Sequence, residues 1–157
     1  MTTTKKKILV LDQNESTRRD HGERLAALLD EFEVVTVRSP LEVIDLLREQ
    51  EEDIVALSTG FRFMECPDMN GENLIRHLAC TGLGKNLKVV VLYSLIANPD
   101  PSCRVLERDL DSSTHFRFYA IQKSENEGSD TVALYMANKL DREKKLLEKV
   151  RSRIEGL

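Results

Sequence analysis

The segment DIVALSTG, from Asp53 to Gly60, is a short apolar run that ends in small hydroxyl residues. Its length and continuous apolar character are typical of a strand buried on both faces of a parallel sheet. Ligands of such open sheets collect outside the carboxyl ends of the central strands. The residues at this end, Ser58 and Thr59, therefore determine the chemistry available there, and neither is a carboxylate.

Further apolar runs of strand length flank this segment, at residues 8–11, 34–37, 87–92 and 116–121. Residues that cap helices follow the first three strands: Asn14 or Ser16, Ser39 before Pro40, and Asn70. The alternation predicts an α/β fold, a flavodoxin-like doubly wound parallel sheet of five strands in the order 2-1-3-4-5, with helices on both faces. In that order Asp12, Ser58 and Thr59 should meet where strands one and three end.

Helical periodicity marks the first and last helices most clearly. On the first helix we expect a buried face made by Leu25, Leu28 and Leu29. From Thr131 to about Glu155 neither glycine nor proline interrupts the chain, and apolar residues recur in a heptad-like seam of Val132, Met136, Leu140, Leu147, Val150 and Ile154. A helix of roughly 24 residues would be about 36 Å long. We therefore predict a single domain over 1–157, with a core of about 5–140 and 141–157 as an extension of the last helix.

The composition excludes several classes of protein. The chain has 157 residues, a formal net charge of −4 and a pI of about 5.5. It lacks the basic excess of nucleic-acid-binding proteins, and no apolar run is long enough for a membrane span or a secretory signal. Three widely spaced cysteines favour free thiols over disulfides or a zinc site. We expect a cytoplasmic protein that binds neither nucleic acid nor membrane.

Four short segments resemble those of response-regulator receiver domains. KILVLDQN (7–14) is similar to the family's first strand, which ends in an acidic pair that holds Mg²⁺. DIVALS (53–58) resembles the third strand, whose last residue is the phospho-accepting Asp. CPDMNG (66–71) resembles the turn that follows it, and IQKS (121–124) the strand that carries a phosphate-binding Lys. The resemblance covers the chain up to about residue 140.

The departures from this pattern imply a degenerate member of the family. Only Asp12 remains of the acidic pair, Ser58 takes the acceptor position, and roughly five extra residues follow it. The corresponding pocket comprises Asp12, Gln13, Ser58, Thr59, Tyr93, Ser94 and Lys123, with Tyr93 or Ser94 in place of the family's switch hydroxyl. Because Mg²⁺ prefers several hard oxygen ligands, we expect its binding to be weak or absent. Because no histidine is expected beside Ser58, we predict neither catalytic residues nor a cofactor.

Two roles remain open for Asp12 and for the apolar loop residues. Asp12 is either a metal ligand or, as we favour, an ion-pair partner of Lys123. Phe61, Phe63 and Met64 either cover the pocket or form a contact surface.

The resulting hypothesis is a phosphorylation-independent pseudo-receiver that acts in signalling or protein interaction and is not an enzyme. Its partners would be proteins, such as a histidine kinase, or a second copy bound through the last helix. The candidate contact residues, besides the loop, are Tyr119, Tyr135, Leu147, Val150 and Ile154. The alternatives are a phosphorylated regulator with an unconventional acceptor and an enzyme-like domain that binds a small anion or nucleotide at the strand ends.

Overall fold

A computed structural model describes residues 5–60, 69–94, 106, 110, 114–122 and 129–156. The strands are β1 (Lys7–Leu11), β2 (Glu33–Val37), β3 (Ile54–Gly60), β4 (Val89–Ser94) and β5 (Arg117–Gln122). The helices are α1 (Glu15–Leu28), α2 (Pro40–Glu49), α3 (Gly71–Thr81) and α4 (Ser129–Glu155). The pattern of Val105, Leu106 and Leu110 also predicts a shorter helix before β5, and most of that segment lies outside the described residues.

The five strands form one parallel sheet in the order β2-β1-β3-β4-β5. This order confirms the fold prediction, and β3 is the central strand. Alternate residues of each strand face opposite sides, which divides the core into two layers. On one side Leu9 and Leu57 pack with α2 and α3, and on the other Val10 and Ala56 pack with α1 and α4. Helices therefore cover both faces of the sheet.

The helix caps are those that the sequence indicates. The side chains of Asn14, Ser39 and Asn70 accept backbone N–H groups at the starts of α1, α2 and α3. Gly82 ends α3 with a left-handed φ of 69°, a conformation that glycine adopts without steric cost. These caps fix where the chain leaves each strand end and turns back across the sheet.

The buried face predicted for α1 is confirmed at Leu25 and at the adjoining Leu29, which packs against the core, but not at Leu28. Leu28 is 45% exposed, whereas Arg18, His21, Gly22 and Leu25 are buried. Glycine at position 22 lets this face of α1 lie close to β2. A Cβ there would come within 2.8 Å of the Thr36 Cγ2 atom. The prediction that Leu28 is buried is wrong because the close approach at Gly22 centres the buried face on the turn before it.

The last helix runs well beyond the sheet that it covers. Its 27 residues correspond to about 40 Å at 1.5 Å per residue. Val132, Met136 and Leu140 are buried, and Met136 and Leu140 pack in the core layer that α1 and the sheet share. Residues 144–156 are exposed throughout. Within the part of the chain that the structure describes, no helix has the length and apolar character needed to cross a membrane.

Candidate functional site at the strand ends

The ends of β1, β3 and β4 bring together Asp12, Gly60 and Tyr93. Leu11 is paired with Thr59, and Gly60 with Tyr93, so Asp12 follows β1 at the level of Gly60. A Cβ on Gly60 would lie 3.5 Å from the Asp12 Oδ2 atom and 3.6 Å from the Tyr93 Cε2 atom. The residue that faces Asp12 from the central strand therefore has no side chain.

The carboxylate of Asp12 is engaged by groups of the chain itself. The Tyr93 hydroxyl donates a hydrogen bond of 2.5 Å to Oδ2. The backbone N–H of Asn14 donates to Oδ1 over 2.8 Å. The backbone carbonyl of Asp12 accepts a bond of 2.9 Å from the Arg18 guanidinium. Hydrogen bonds to an ionised acceptor are stronger than neutral ones, so these contacts hold the carboxylate firmly in place.

Tyr93 acts as a neutral donor in this site. Its side chain is only 4% exposed. Burial raises the pKa of the Tyr93 hydroxyl well above its ordinary value, and the charge of Asp12 and the hydrogen bond to it raise that pKa further. An ionised phenol could not donate to a carboxylate and would repel it. The phenol therefore stays protonated near neutral pH and keeps its bond to Asp12.

The sequence resemblance assigns the acceptor position at the end of β3 to Ser58, but in the structure Ser58 lies deeper in the sheet. β3 continues for two residues beyond it, so Ser58 stands about 6.6 Å before Gly60 along the strand. Its hydroxyl is fully buried and lies 3.4 Å from the Nε2 atom of His21. The direction of that contact depends on the histidine tautomer. The imidazole of His21 also lies 5.6 Å from the ring of Tyr93, between centroids.

The contact between Ser58 and His21 corrects the expectation that no histidine stands beside this serine. His21 belongs to the face of α1 that Gly22 brings close to the sheet, and its side chain is 1% exposed. The position four residues before the buried Leu25 is a signal of that inward orientation. A base next to a hydroxyl is the arrangement that activates a serine nucleophile. Here neither group reaches solvent, so the pair contributes to the core and cannot attack an external substrate.

Thr59 faces the opposite side of the sheet from Ser58. Its buried hydroxyl donates a 2.9 Å hydrogen bond to the carbonyl oxygen of Gly60. The start of α3 packs against the same carbonyl, because a Cβ on Gly71 would come within 2.3 Å of that oxygen. The hydroxyl of Thr59 is therefore committed to the local backbone.

The described residues at the strand ends do not fit a Mg²⁺ site. Mg²⁺ requires near-octahedral coordination by hard oxygen ligands and is usually held by one or two carboxylates with phosphate and water. Among the described residues that meet there, Asp12 is the one carboxylate, and its Oδ1 and Oδ2 atoms each accept a hydrogen bond. Gly60 offers no second side chain from β3. We therefore derive no chemistry that passes through a metal.

Other residues singled out in the sequence have different positions. Phe61, Phe63, Met64 and Lys123, and the side chain of Ser94, lie outside the described residues. The proposed pair between Asp12 and Lys123 stays a prediction, and the structure adds Tyr93 as a partner of Asp12. Gln13 follows Asp12 and is partly buried.

The candidate contact residues lie on β5 and α4. The rings of Tyr119 and Tyr135 meet edge to face with centroids 6.0 Å apart. The Lys139 ammonium lies 4.6 Å from the centroid of the Tyr119 ring. Leu147, Val150 and Ile154 are exposed on the outer half of α4.

Comparison with known proteins places this architecture among receiver domains. No family model matches the chain, and no curated protein matches it either. Among solved structures, a phosphorylated cyanobacterial phytochrome response regulator, RcpA, is 22% identical with a TM-score of 0.62, over 86% of this chain and 91% of that one.

Two further structures have the same fold. A signal receiver domain of an HD domain-containing protein from Pseudomonas fluorescens is 15% identical with a TM-score of 0.62, over 90% of this chain and 99% of that one. A response regulator receiver domain protein from Clostridium thermocellum is 17% identical with a TM-score of 0.59, over 90% and 98%. The sheet order, the two helical layers and these likenesses together give the chain the fold of a response-regulator receiver domain.

Proposed function

We propose that this chain is a signalling module of the receiver type that works without being phosphorylated and has no enzymatic activity. The observation that carries the proposal is the hydrogen bond from Tyr93 to Asp12 opposite a glycine. This arrangement uses the remaining carboxylate as a structural acceptor. The molecule would then signal through its surface alone, by binding another protein.

Phosphoryl transfer to a receiver domain makes two chemical demands. The acceptor must be a nucleophile exposed at the strand end, and the charge that develops on the transferred group must be neutralised. Gly60 provides no nucleophile, and the hydroxyls of Ser58 and Thr59 are buried within the fold. Asp12 has no second carboxylate beside it in the described site with which to share a divalent cation. The residues that the structure describes at the strand ends therefore meet neither demand, which supports the proposal.

An interaction role is supported by the surface on β5 and α4. Tyr119, Tyr135 and Lys139 form a partly exposed cluster in which two rings and an ammonium group stack together. Tyrosine is among the residues enriched in protein interfaces. The receiver-domain fold supports a partner from two-component signalling, such as a histidine kinase.

The proposal is tested by treating the full chain with acetyl phosphate and Mg²⁺ and measuring its intact mass. We expect no stable gain of a phosphoryl group. A phosphorylatable receiver domain treated in parallel shows that the reagent is active. If the chain does gain one phosphoryl group, the proposal is overturned in favour of a regulator with an unconventional acceptor. Loss of that gain in Asp68→Asn would identify the acceptor as Asp68, the carboxylate of the turn 66–71 that follows β3 in sequence.

A further inference from the structure

The outer half of α4 exposes an apolar stripe. Leu147, Val150 and Ile154 are 49%, 47% and 65% exposed. They are separated by three and four residues, so they share one face of the helix. They continue the line of residues that is buried in the first half of α4. The seam that packs α4 onto the domain therefore extends beyond the domain.

Two ion pairs lie at the point where this seam leaves the domain. Arg117 on β5 contacts Glu143, with 2.6 Å between the Arg117 Nε and Glu143 Oε1 atoms. Lys144 lies 3.9 Å from Glu31 at the end of α1. Glu143 occupies the seam position between Leu140 and Leu147, so the polar interruption seen in the sequence coincides with the edge of the domain. Beyond it the seam is exposed to solvent.

The form of the stripe favours a helix as its partner over a lipid surface. Leu147, Val150 and Ile154 follow coiled-coil spacing, with Leu146 (44% exposed) beside them, whereas helices that lie in a membrane interface commonly carry aromatic residues on their apolar face. Residues 141–156 contain no Phe, Tyr or Trp. The segment therefore lacks the aromatic anchors of an interfacial helix.

The charges beside the stripe favour an acidic partner. Residues 144–156 contain five basic and two acidic side chains, a net charge of +3. The whole chain carries −4, so the remaining residues carry −7. In heptad terms Lys144 and Arg151 flank the seam on one side and Arg153 flanks it on the other. The basic character is concentrated where a partner helix would lie.

A second copy of this chain satisfies those charges poorly. In a parallel pair of the exposed halves Arg151 of one helix faces Leu146 of the other and finds no acidic group, and in an antiparallel pair Lys144 meets Arg151. Like charges across such a seam destabilise pairing and direct the choice of partner. The homodimer that the seam suggests from the sequence is therefore the less favoured occupant.

We propose that the outer half of α4 binds an amphipathic helix of another protein whose apolar seam is flanked by glutamate or aspartate. This inference rests on the proposed function as an interaction module and names the chemistry of one partner. Leu147, Val150 and Ile154 would supply the apolar contact. Lys144, Arg151 and Arg153 would supply the charge complementarity.

The test uses the full chain and two helical peptides with the same leucine and valine seam. One peptide carries glutamate at the flanking positions, and its twin carries lysine. Binding is measured by calorimetry at low salt. We expect the glutamate peptide to bind and the lysine peptide to bind about tenfold more weakly or not at all, because flanking charge pairs add a few tenths of a kcal/mol to about 1 kcal/mol each. Equal affinity for the two peptides overturns the proposal.

Two variants separate the contributions of charge and apolar contact. Arg151→Glu combined with Arg153→Glu should reverse the preference between the peptides, whereas Ser152→Glu, on the opposite side of the helix, should leave it unchanged. Val150→Glu should weaken the binding of both peptides. Because Val150 is exposed, circular dichroism should report an unchanged fold.

Light scattering tests whether a second copy of the chain occupies the stripe, and vesicle binding tests whether a membrane does. A dimer at low protein concentration that resists displacement by the glutamate peptide would assign the stripe to a second copy. Binding to vesicles rich in phosphatidylserine without binding to either peptide would assign it to a membrane. Either result overturns the inference and leaves the phosphorylation test unaffected, because that test reports only on the strand-end site.

Discussion

Tyr93 places a phenol where its hydroxyl reaches the carboxylate of Asp12, and this contact links β4 to the end of β1. Removing the hydroxyl takes away the hydrogen bond that the Asp12 Oδ2 atom accepts from Tyr93. We predict that Tyr93→Phe lowers the free energy of unfolding at neutral pH by about 1.5–3 kcal/mol, the range for hydrogen bonds to charged groups. Urea denaturation measures this change. Tyr119→Phe, in the edge strand, is the control for loss of a tyrosine hydroxyl elsewhere in the sheet.

The same residue predicts a dependence of stability on alkaline pH. Burial and Asp12 raise the pKa of Tyr93 in the folded protein, while in the unfolded chain it ionises near its ordinary value of about 10. Above that pH the folded state holds a proton that the unfolded state has lost, so stability falls as pH rises. The slope is about 1.4 kcal/mol per pH unit until the folded pKa is reached. The stability difference between wild type and Tyr93→Phe should therefore shrink above pH 10, and a constant difference would contradict this account.

Replacing Gly60 tests whether this position faces Asp12. Its backbone has no positive φ, and an added Cβ would make only ordinary contacts with Asp12 and Tyr93. Gly60→Asp and Gly60→Asn should therefore both fold. Because two carboxylates would then face each other, we expect the Asp variant to be about 1–2 kcal/mol less stable than the Asn variant near neutral pH. Acidification should reduce this difference in stability between the two variants. Equal stabilities at all pH values would contradict the position of Gly60 opposite Asp12.

Among the elements, α4 is one continuous helix whose first half is buried in the core and whose outer half is exposed. Val132 is fully buried and Val150 is 47% exposed, so the same substitution tests both halves. We predict that Val132→Ala lowers the free energy of unfolding by about 1.5–3 kcal/mol. Val150→Ala should change it by less than about 0.5 kcal/mol, as is usual for exposed sites. Thermal or urea denaturation compares them, and similar losses would mean that the outer half packs against the chain after all.

The elements also indicate how far sequence alone could reach. The five strands are continuous apolar runs and the caps at Asn14, Ser39 and Asn70 are local hydrogen-bonding signals, so both could be predicted. The exposure of Leu28 on α1 could not be predicted, because it depends on the close approach of Gly22 to β2. The pairs at the site join residues 81 and 37 positions apart, and only the folded chain brings them together. The register of β3 likewise decided that Gly60, and not Ser58, faces Asp12.

At the scale of the whole molecule, the chain has the receiver fold, and we propose that its strand end has lost the phosphorylation chemistry of that fold. The sheet order, both helical layers and the caps match what the fold requires. Charge is divided between an acidic domain and a basic outer helix. This division separates a stable scaffold from the surface that we propose for a partner.

The central claim is that the strand end accepts neither a phosphoryl group nor the metal that such a group requires. The most direct measurement is a titration of ¹⁵N-labelled protein with Mg²⁺ and beryllium fluoride, a phosphoryl mimic, followed by amide NMR shifts. The account predicts that the amides of Asp12, Gly60 and Tyr93 do not move at millimolar Mg²⁺. Saturable shifts at those three residues would show that the pocket still takes the mimic and would contradict it.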